Sequence, residues 1–354
     1  MYAEIFKKGI CISKVLFIKE WDAERVFSQF GEDIAINSFF SNQGKDFFCK
    51  DWQIIGIISC IKKKFKMKKI LVTGGAGFIG SHLCERLIKD KNNEVYSLDN
   101  YFTGSEKNHI DGVKYIKGST IDIDKLVLFS PNFIYHLGEY SRVEQSFEDI
   151  ETVWSSNKNG IFAVLQFCRK HGSKIIYAGS STKFGDGGLG RNQSPYSWSK
   201  SSNTELVMNF GIWFNIPYAI SYFYNVYGGR EIAIGKYATL IALFKESSIR
   251  GEPLTVVSPG SQKRNFTHID DVINGLVLVG EKGFGDEFGI GNLESFTVLE
   301  IAQMFGGKIE MLPERKGNRM SAEVFVKKTQ ALGWQCKKSI KHYINEFKEK
   351  DGKR

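Results

Sequence analysis

Tyr196 and Lys200 stand four residues apart in Tyr-Ser-Trp-Ser-Lys, inside a stretch that reads as a helix from Pro195 to Phe214. On a helix that spacing puts a phenol and an ammonium on one face, one turn apart. A tyrosine that serves as a base near neutral pH must ionise, and moving its pKa from about 10 to about 7 takes roughly 4 kcal/mol. One cation about 4 Å away supplies about that much at an effective dielectric near 20. Such a pair is common on protein surfaces, where it has no chemistry. Here it follows a hydroxyl-rich segment, Gly179-Ser-Ser-Thr-Lys-Phe-Gly185, and a glycine-rich loop further upstream.

That loop is Thr73–Gly80 (TGGAGFIG), with glycines at 74, 77 and 80. It follows a strand-like run and leads, through Phe78 and Ile79, which count with the glycines as candidate cofactor-binding residues, into a helix-like one. Glycines at this spacing allow a tight turn, close approach of backbone to a pyrophosphate and close helix–strand packing, and the helix N-terminus offers N–H groups to phosphate. An acid, Asp99, followed by Asn100, ends the next strand about twenty residues on, where a carboxylate holds adenosine ribose hydroxyls. Asp99 would repel a 2′-phosphate, so NAD is expected rather than NADP.

The elements that must position these groups are legible from Met67 onward. Apolar strand-like runs at Ile70–Thr73, Glu94–Leu98, Val113–Ile116, Phe133–Leu137, Lys174–Ala178 and Tyr218–Phe223 alternate with helical patterns, notably Gly80–Lys89 and Pro195–Phe214. Continuous apolar strands alternating with helices predict an α/β fold, a doubly wound parallel sheet covered on both faces. Past about Tyr227 the rhythm loosens, as expected of a smaller α/β part closing over the strand ends where open sheets bind ligands. The expected division is a dinucleotide-binding domain over 67–230, with 266–290 returning to it, and a substrate-binding domain over 231–354.

The first 66 residues read differently: they contain no proline and end in Ile61–Lys66 (IKKKFK). Their longest apolar run, Ile54–Ile61, is eight residues, far short of the ~20 that span a bilayer. They are read as a remnant or loosely ordered extension. Net charge is +9, but Lys and Arg are spread along the chain with no long basic tract. Anionic small molecules are therefore the expected partners, with no nucleic acid and no membrane. Six dispersed cysteines with no CxxC pair, and six dispersed histidines with no HExxH, speak for reduced cysteines in a cytoplasmic protein and against a metal site.

Taken together, the glycine triplet, Asp99, His136-Leu137, the serine-rich segment, the Tyr196/Lys200 pair and Asn225-Val-Tyr-Gly228 resemble the extended short-chain dehydrogenase/reductases, the family of UDP-galactose 4-epimerase. The resemblance covers about Met67 to Phe347 and implies a Rossmann-type fold, NAD, a nucleotide-sugar substrate and a homodimer. It implies that Tyr196 is the base, Lys200 holds the nicotinamide ribose, and Ser180 bridges substrate and tyrosine, with Ser181 as its alternate. Asn157 matches an asparagine that fixes the cofactor end of the site. Asn225, Arg264 and Arg315 match groups that hold the nucleotide diphosphate, which favours charge-assisted partners. Phe27–Asp33 resembles the opening of a family of SAM-dependent methyltransferases, but no glycine-rich SAM loop follows it.

The chain departs from the family pattern at Gly118-Ser119 (usually Gly-Asp), Gly138-Glu139 (usually two small residues), Gly229 (usually Pro), Asn318 (usually Asp) and in a short loop between Gly185 and Tyr196. Family dehydratases carry an Asp-Glu pair right after the active hydroxyl, and decarboxylating members a Glu two positions after it. Those positions are Ser181 and Thr182 here, and Thr182 is what 4-epimerases tend to show. The resemblance thus implies 4-epimerisation of a nucleotide sugar through a keto intermediate. The alternatives are a ketoreductase or dehydratase of the same family, or a non-catalytic NAD-binding scaffold. Seven residues past Arg315, Ala322 matches a gate beside the sugar's 2-position, so an N-acetylated sugar such as UDP-N-acetylglucosamine is expected to fit. The competing reading of Ala322 is the start of a helix running to Leu332.

Overall fold

A computed structural model describes residues 67–315, 317 and 319–351. The expected extension 1–66, including Phe27–Asp33 and Ile54–Ile61, and the departure at Asn318 lie outside the described residues.

Seven strands make the central sheet: β1 (Lys68–Thr73), β2 (Asn93–Asp99), β3 (Lys114–Lys117), β4 (Phe133–His136), β5 (Lys174–Ser180), β6 (Tyr218–Phe223) and, from much later in the chain, β11 (Gly285–Ile290). Their spatial order is β3-β2-β1-β4-β5-β6-β11, and every pairing is parallel. The order reverses between β1 and β4, which leaves a crevice beyond their C-terminal ends. Strand β1 shows why its run is continuously apolar. Ile70 and Val72 pack into a core on one face with Leu83 and Ile273, while Leu71 packs on the other with Leu98, Ile161 and Ile220. The parallel-sheet expectation holds, and the six strands read from the sequence lie within two residues of their observed ends.

Helix α1 (Phe78–Leu87) begins two residues before the expected Gly80. Between β3 and β4 lies α2 (Ile123–Leu126), and between β4 and β5 lie α3 (Ile150–Val153), a π-helical turn over Trp154–Asn159 and α4 (Gly160–His171). Helix α5 spans Pro195–Phe214, as the sequence predicts, because both ends are marked. Ser194 Oγ accepts the Ser197 amide at 3.0 Å, Pro195 fills the first turn, and Asn215 closes the helix in the left-handed conformation with φ 54°. The residues that α5 buries include Ser197, Ser199, Lys200, Ser201, Asn203 and Thr204. A helix spends its inward face on polar groups only where other polar groups meet them.

The remaining elements are short strands and longer helices. They are β7 (Val226–Tyr227), α6 (Leu240–Arg250), β8 (Leu254–Val257), β9 (Lys263–Asn265), β10 (Thr267–His268), α7 (Ile269–Lys282), β12 (Ser295–Thr297), α8 (Val298–Phe305), β13 (Ile309–Leu312), α9 (Lys327–Ala331) and α10 (Ile340–Asp351). Strands β7, β8 and β9 pair with β10, β13 and β12. A third core joins Tyr227, Phe244, Val256, Ile301 and Ile344. The helix that would start at Ala322 is not there: 322 forms an isolated antiparallel bridge with Gly185, and α9 begins only at Lys327.

Candidate active site

Strand β5 ends at Ser180, and the first turn of α5 carries Tyr196 over it. The Tyr196 hydroxyl donates to Ser180 Oγ at 3.1 Å, and Thr182 Oγ1 lies 2.9 Å from the same oxygen. Ser180 and Thr182 are both buried, so this chain of hydroxyls is shielded and oriented. Lys200, one turn further along α5, sends its ammonium to the Ala178 carbonyl and to the carboxylate of Glu139, over the face of Tyr177 at 4.4 Å.

These groups open on a cavity of about 670 Å³ whose wall also carries Gly74, Gly77, Phe78, Ile79, Asp99 and Asn100. The glycine loop is built for close approach. Gly74 has φ 73°, and a Cβ on Gly80 would sit 2.0 Å from the Gly74 carbonyl oxygen. Asp99 is buried and accepts the amides of Ala76 at 2.9 Å and Tyr101 at 2.8 Å, which fixes its carboxylate at the end of β2. Burial pushes that carboxyl's pKa up against these two bonds. Each oxygen retains a lone pair for a ribose hydroxyl. Asn100 accepts the Phe102 amide at 3.0 Å and so shapes the turn beside it. The cradle, the buried acid and the hydroxyl chain fit NAD. Ser119, one of the departures from the family pattern, caps the turn over Thr120–Asp122 by accepting the Ile121 amide.

Asn157, expected at the cofactor end, is fully buried in the π-helical turn and is not on the cavity wall. Its side chain accepts the Tyr140 amide at 2.7 Å and donates to the Tyr140 carbonyl and to Ser199 Oγ. It therefore pins the segment after β4 to α5, acting on the site through its neighbours.

Of the residues expected to hold substrate, Asn225, with φ 35°, donates to the Asn265 carbonyl at 3.1 Å and lines the cavity. Arg264 on β9 also lines it, and burial pushes its guanidinium down to about 10. Arg315 stands at the exposed rim, paired with Glu144 at 2.7 Å. Ala322, the expected sugar gate, is not part of the wall; it sits in the bridge to Gly185. The same segment brings a different side chain to the cavity, Arg319. Its Nη2 donates to Ser181 Oγ at 3.2 Å, and its Nη1 is shielded from solvent with no hydrogen-bond partner. Asp186 sets this up by accepting the Met320 and Ser321 amides, each at 3.0 Å. Arg142, held to the Tyr237 carbonyl, is a further cation on the wall.

Sequence reasoning missed Arg142 and Arg319, and noted Glu139 only as a departure. The Glu139 side chain is buried. Beyond Lys200, it accepts Tyr177 Oη at 2.9 Å and Asn203 Nδ2 at 3.0 Å, and lies 3.5 Å from His136 Nε2. Burial alone would push its carboxyl up, but the Lys200 ammonium and His136 hold it down at about 2. The signal available in the sequence was an acid in a place where small residues are usual.

The family model described as "NAD dependent epimerase/dehydratase family" matches residues 70–291. UDP-glucuronic acid decarboxylase 5 of Arabidopsis thaliana is 30% identical over 308 residues, covering 79% of this chain and 88% of the relative. UDP-N-acetyl-alpha-D-glucosaminuronate decarboxylase of Bacillus cytotoxicus is 30% identical over 259 residues, 67% of this chain and 78% of the relative. Among solved structures, UDP-glucose 4-epimerase of Thermotoga maritima with UDP-glucose matches at 27% identity and TM-score 0.74, covering 80% of this chain and 99% of that one. UDP-glucuronic acid 4-epimerase of Bacillus cereus with UDP-glucuronic acid and NAD matches at 25% identity and TM-score 0.73, covering 80% and 99%. With a glycine cradle, a buried acid and a hydroxyl–tyrosine pair in one cavity, and a family match over most of the described residues, the chain belongs to the NAD-dependent epimerase/dehydratase family, and its cofactor is NAD.

Proposed function

We propose that this protein 4-epimerises a nucleotide-diphosphate sugar. The observation that carries the reading is the Ser180–Tyr196 contact of 3.1 Å opening on the same cavity as the glycine loop, with a threonine, not an acid, at 182. Bound NAD supplies the hydride acceptor and later the hydride donor. Tyr196, ionised, takes the proton of the sugar's 4-hydroxyl, and Ser180 holds that oxygen in line. Thr182 Oγ1 orients Ser180 and has no acid–base capacity near neutral pH, so the keto-sugar is neither dehydrated nor decarboxylated by it. The keto-sugar turns over to present its opposite face, and Tyr196 returns the proton to its 4-oxygen. Asn225, Arg264 and Arg315 would hold the diphosphate, and Gly74, Gly77, Phe78, Ile79, Gly80, Asp99 and Asn100 the dinucleotide. The part beyond residue 230, apart from 266–290, is read as the substrate-binding domain.

A specific observation favours a uronate as the sugar. Arg319 offers an unpartnered guanidinium nitrogen beside Ser181, and a guanidinium is the donor best matched to a carboxylate. Relatives named as UDP-glucuronic acid decarboxylases and a UDP-glucuronic acid 4-epimerase are in line with this. Decarboxylation is the second reading, on the strength of those relatives' names, and Thr182 weighs against it.

The test is incubation of the protein with UDP-glucose, UDP-N-acetylglucosamine and UDP-glucuronate, with chromatography and mass measurement of the products. Isomers of unchanged mass are expected, with UDP-glucuronate turned over best. Arg319→Gln should raise KM for UDP-glucuronate at least about tenfold, as loss of a charge-assisted bond does, and leave the neutral sugars within about twofold. Loss of carbon dioxide from UDP-glucuronate would establish the second reading, and equal loss on all three sugars would move Arg319 to the diphosphate.

A further inference from the structure

The Tyr196 phenol shares its cavity with several cations. Lys200 follows it on α5, and Arg142 and Arg319 both lie within electrostatic reach from the other walls of the cavity. Cations stabilise a phenolate, and too much of this makes a poor base, since a phenolate that holds its charge too readily takes a proton reluctantly. One anion is paired with Lys200. Glu139 and Lys200 bury 97% and 94% of their side-chain surface (relative exposures of 3% and 6%), and the two form an ion pair.

The cage round Glu139 comes from every element packed against it. His136 arrives from β4, Tyr177 from β5, and Lys200 and Asn203 from α5, while Lys158 in the π-helical turn feels its charge. His136 is itself held by Thr73 Oγ1 at 2.8 Å, so the cage is anchored to β1, the strand that leads into the glycine loop. Asn203 Nδ2 also donates to the Asn157 carbonyl at 2.7 Å. A carboxylate with this many partners is fixed in place and charged, and the ammonium within ion-pair distance of it, among the described residues, is that of Lys200.

We propose that Glu139 is a positioning residue for the reaction: it holds the Lys200 ammonium and offsets part of its charge, so that Tyr196 remains a strong enough base in a cavity crowded with cations. The proposal rests on Tyr196 being the base. Glu139 touches neither the phenol nor Ser180 and acts through Lys200. Its removal should therefore shift the pH at which the base works, and the sign follows from the charge, because Lys200 keeps its bond to the Ala178 carbonyl. Without the carboxylate the phenolate forms more readily, so the acid limb of the pH–rate profile moves to lower pH.

The experiment compares the whole chain with Glu139→Gln, which keeps a hydrogen-bonding group of the same size and removes the charge. The acid limb of kcat/KM should move down by about one pH unit, the order of shift that one nearby charge produces. A second readout needs no turnover: phenolate absorbance is titrated in each protein with the matching Tyr196→Phe variant subtracted, and the step should move down by the same amount. Glu139→Asp, which keeps the charge but draws it back from Lys200, should move both readouts the same way by less. It also carries the test if the glutamine variant does not fold. A limb and step that stay in place, or move up, while the rate falls at every pH would mean that Glu139 only braces the fold, and would overturn the proposal. If none of the sugars is epimerised, the absorbance titration still decides the charge effect by itself.

Discussion

Removing one oxygen from Tyr196 separates chemistry from packing. In Tyr196→Phe the ring stays on α5, and Ser180 Oγ keeps Thr182 Oγ1 as a partner at 2.9 Å, so no buried polar group is orphaned. The expected cost to stability is therefore no more than about 1.5 kcal/mol, the net worth of one hydrogen bond. Turnover should fall by about 10²–10⁴-fold, the usual contribution of a positioned acid–base group, while NAD stays bound. Thermal unfolding, cofactor release on denaturation and steady-state rates check all three, and near-normal turnover would remove Tyr196 from its role. The residues of this pair were legible because their chemistry depends on local spacing: four residues along a helix, and a hydroxyl at a strand end. Glu139 and Arg319 were not, because what brings them to the site is tertiary. Glu139 becomes an enclosed counter-ion only when Lys200 and Asn203 arrive from α5. Arg319 reaches the cavity from a segment whose Met320 and Ser321 amides donate to Asp186, far away in sequence. Counting seven residues from Arg315 reached Ala322, but the bridge to Gly185 turns that position to a different task.

At the scale of elements, the glycine loop is where β1 hands over to α1, and its geometry leaves no room for a side chain at one position. A Cβ on Gly80 would meet the Gly74 carbonyl oxygen at 2.0 Å and its carbon at 2.8 Å, both backbone atoms that cannot rotate away. Gly80→Ala must therefore push the start of α1 off the turn that follows β1. We expect a loss of about 1–3 kcal/mol, as for overpacking, together with loss of NAD retention, because the N–H groups of the turn and of the helix start shift together. Gly187 is the control: a Cβ there meets nothing within 4 Å, and the only strain is its φ of 68°. Gly187→Ala should cost about 1 kcal/mol and leave cofactor retention alone. Melting temperature and the amount of NAD released on denaturation distinguish the two. The boundaries of these elements were legible where the chain marks them chemically, as at Ser194, Pro195 and Asn215 around α5. They were not legible in the segment before α9, whose extended course depends on a pairing with Gly185 that no local pattern encodes.

For the whole molecule, the question is whether the sheet needs anything upstream of Met67. Strand β1 is central, hydrogen-bonded to β2 along one edge and to β4 along the other. Both of its edges are taken, and its first amide, at Lys68, already donates to the Asn92 carbonyl at 2.7 Å. The apolar side chains of β1 are covered on one face by α1 and α7 and on the other by residues of β2, α4 and β6. A parallel strand enclosed in this way gains no further backbone partner from a preceding segment. The described residues, moreover, fall within one compact unit. A chain beginning at Met67 is therefore expected to fold, keep NAD and retain the full chain's kcat/KM within about twofold, with a melting temperature within about 2 °C of it, a difference below 1 kcal/mol. A drop of about 5 °C or more, or loss of the cofactor, would mean that residues 1–66 cover part of the α/β unit in the intact protein.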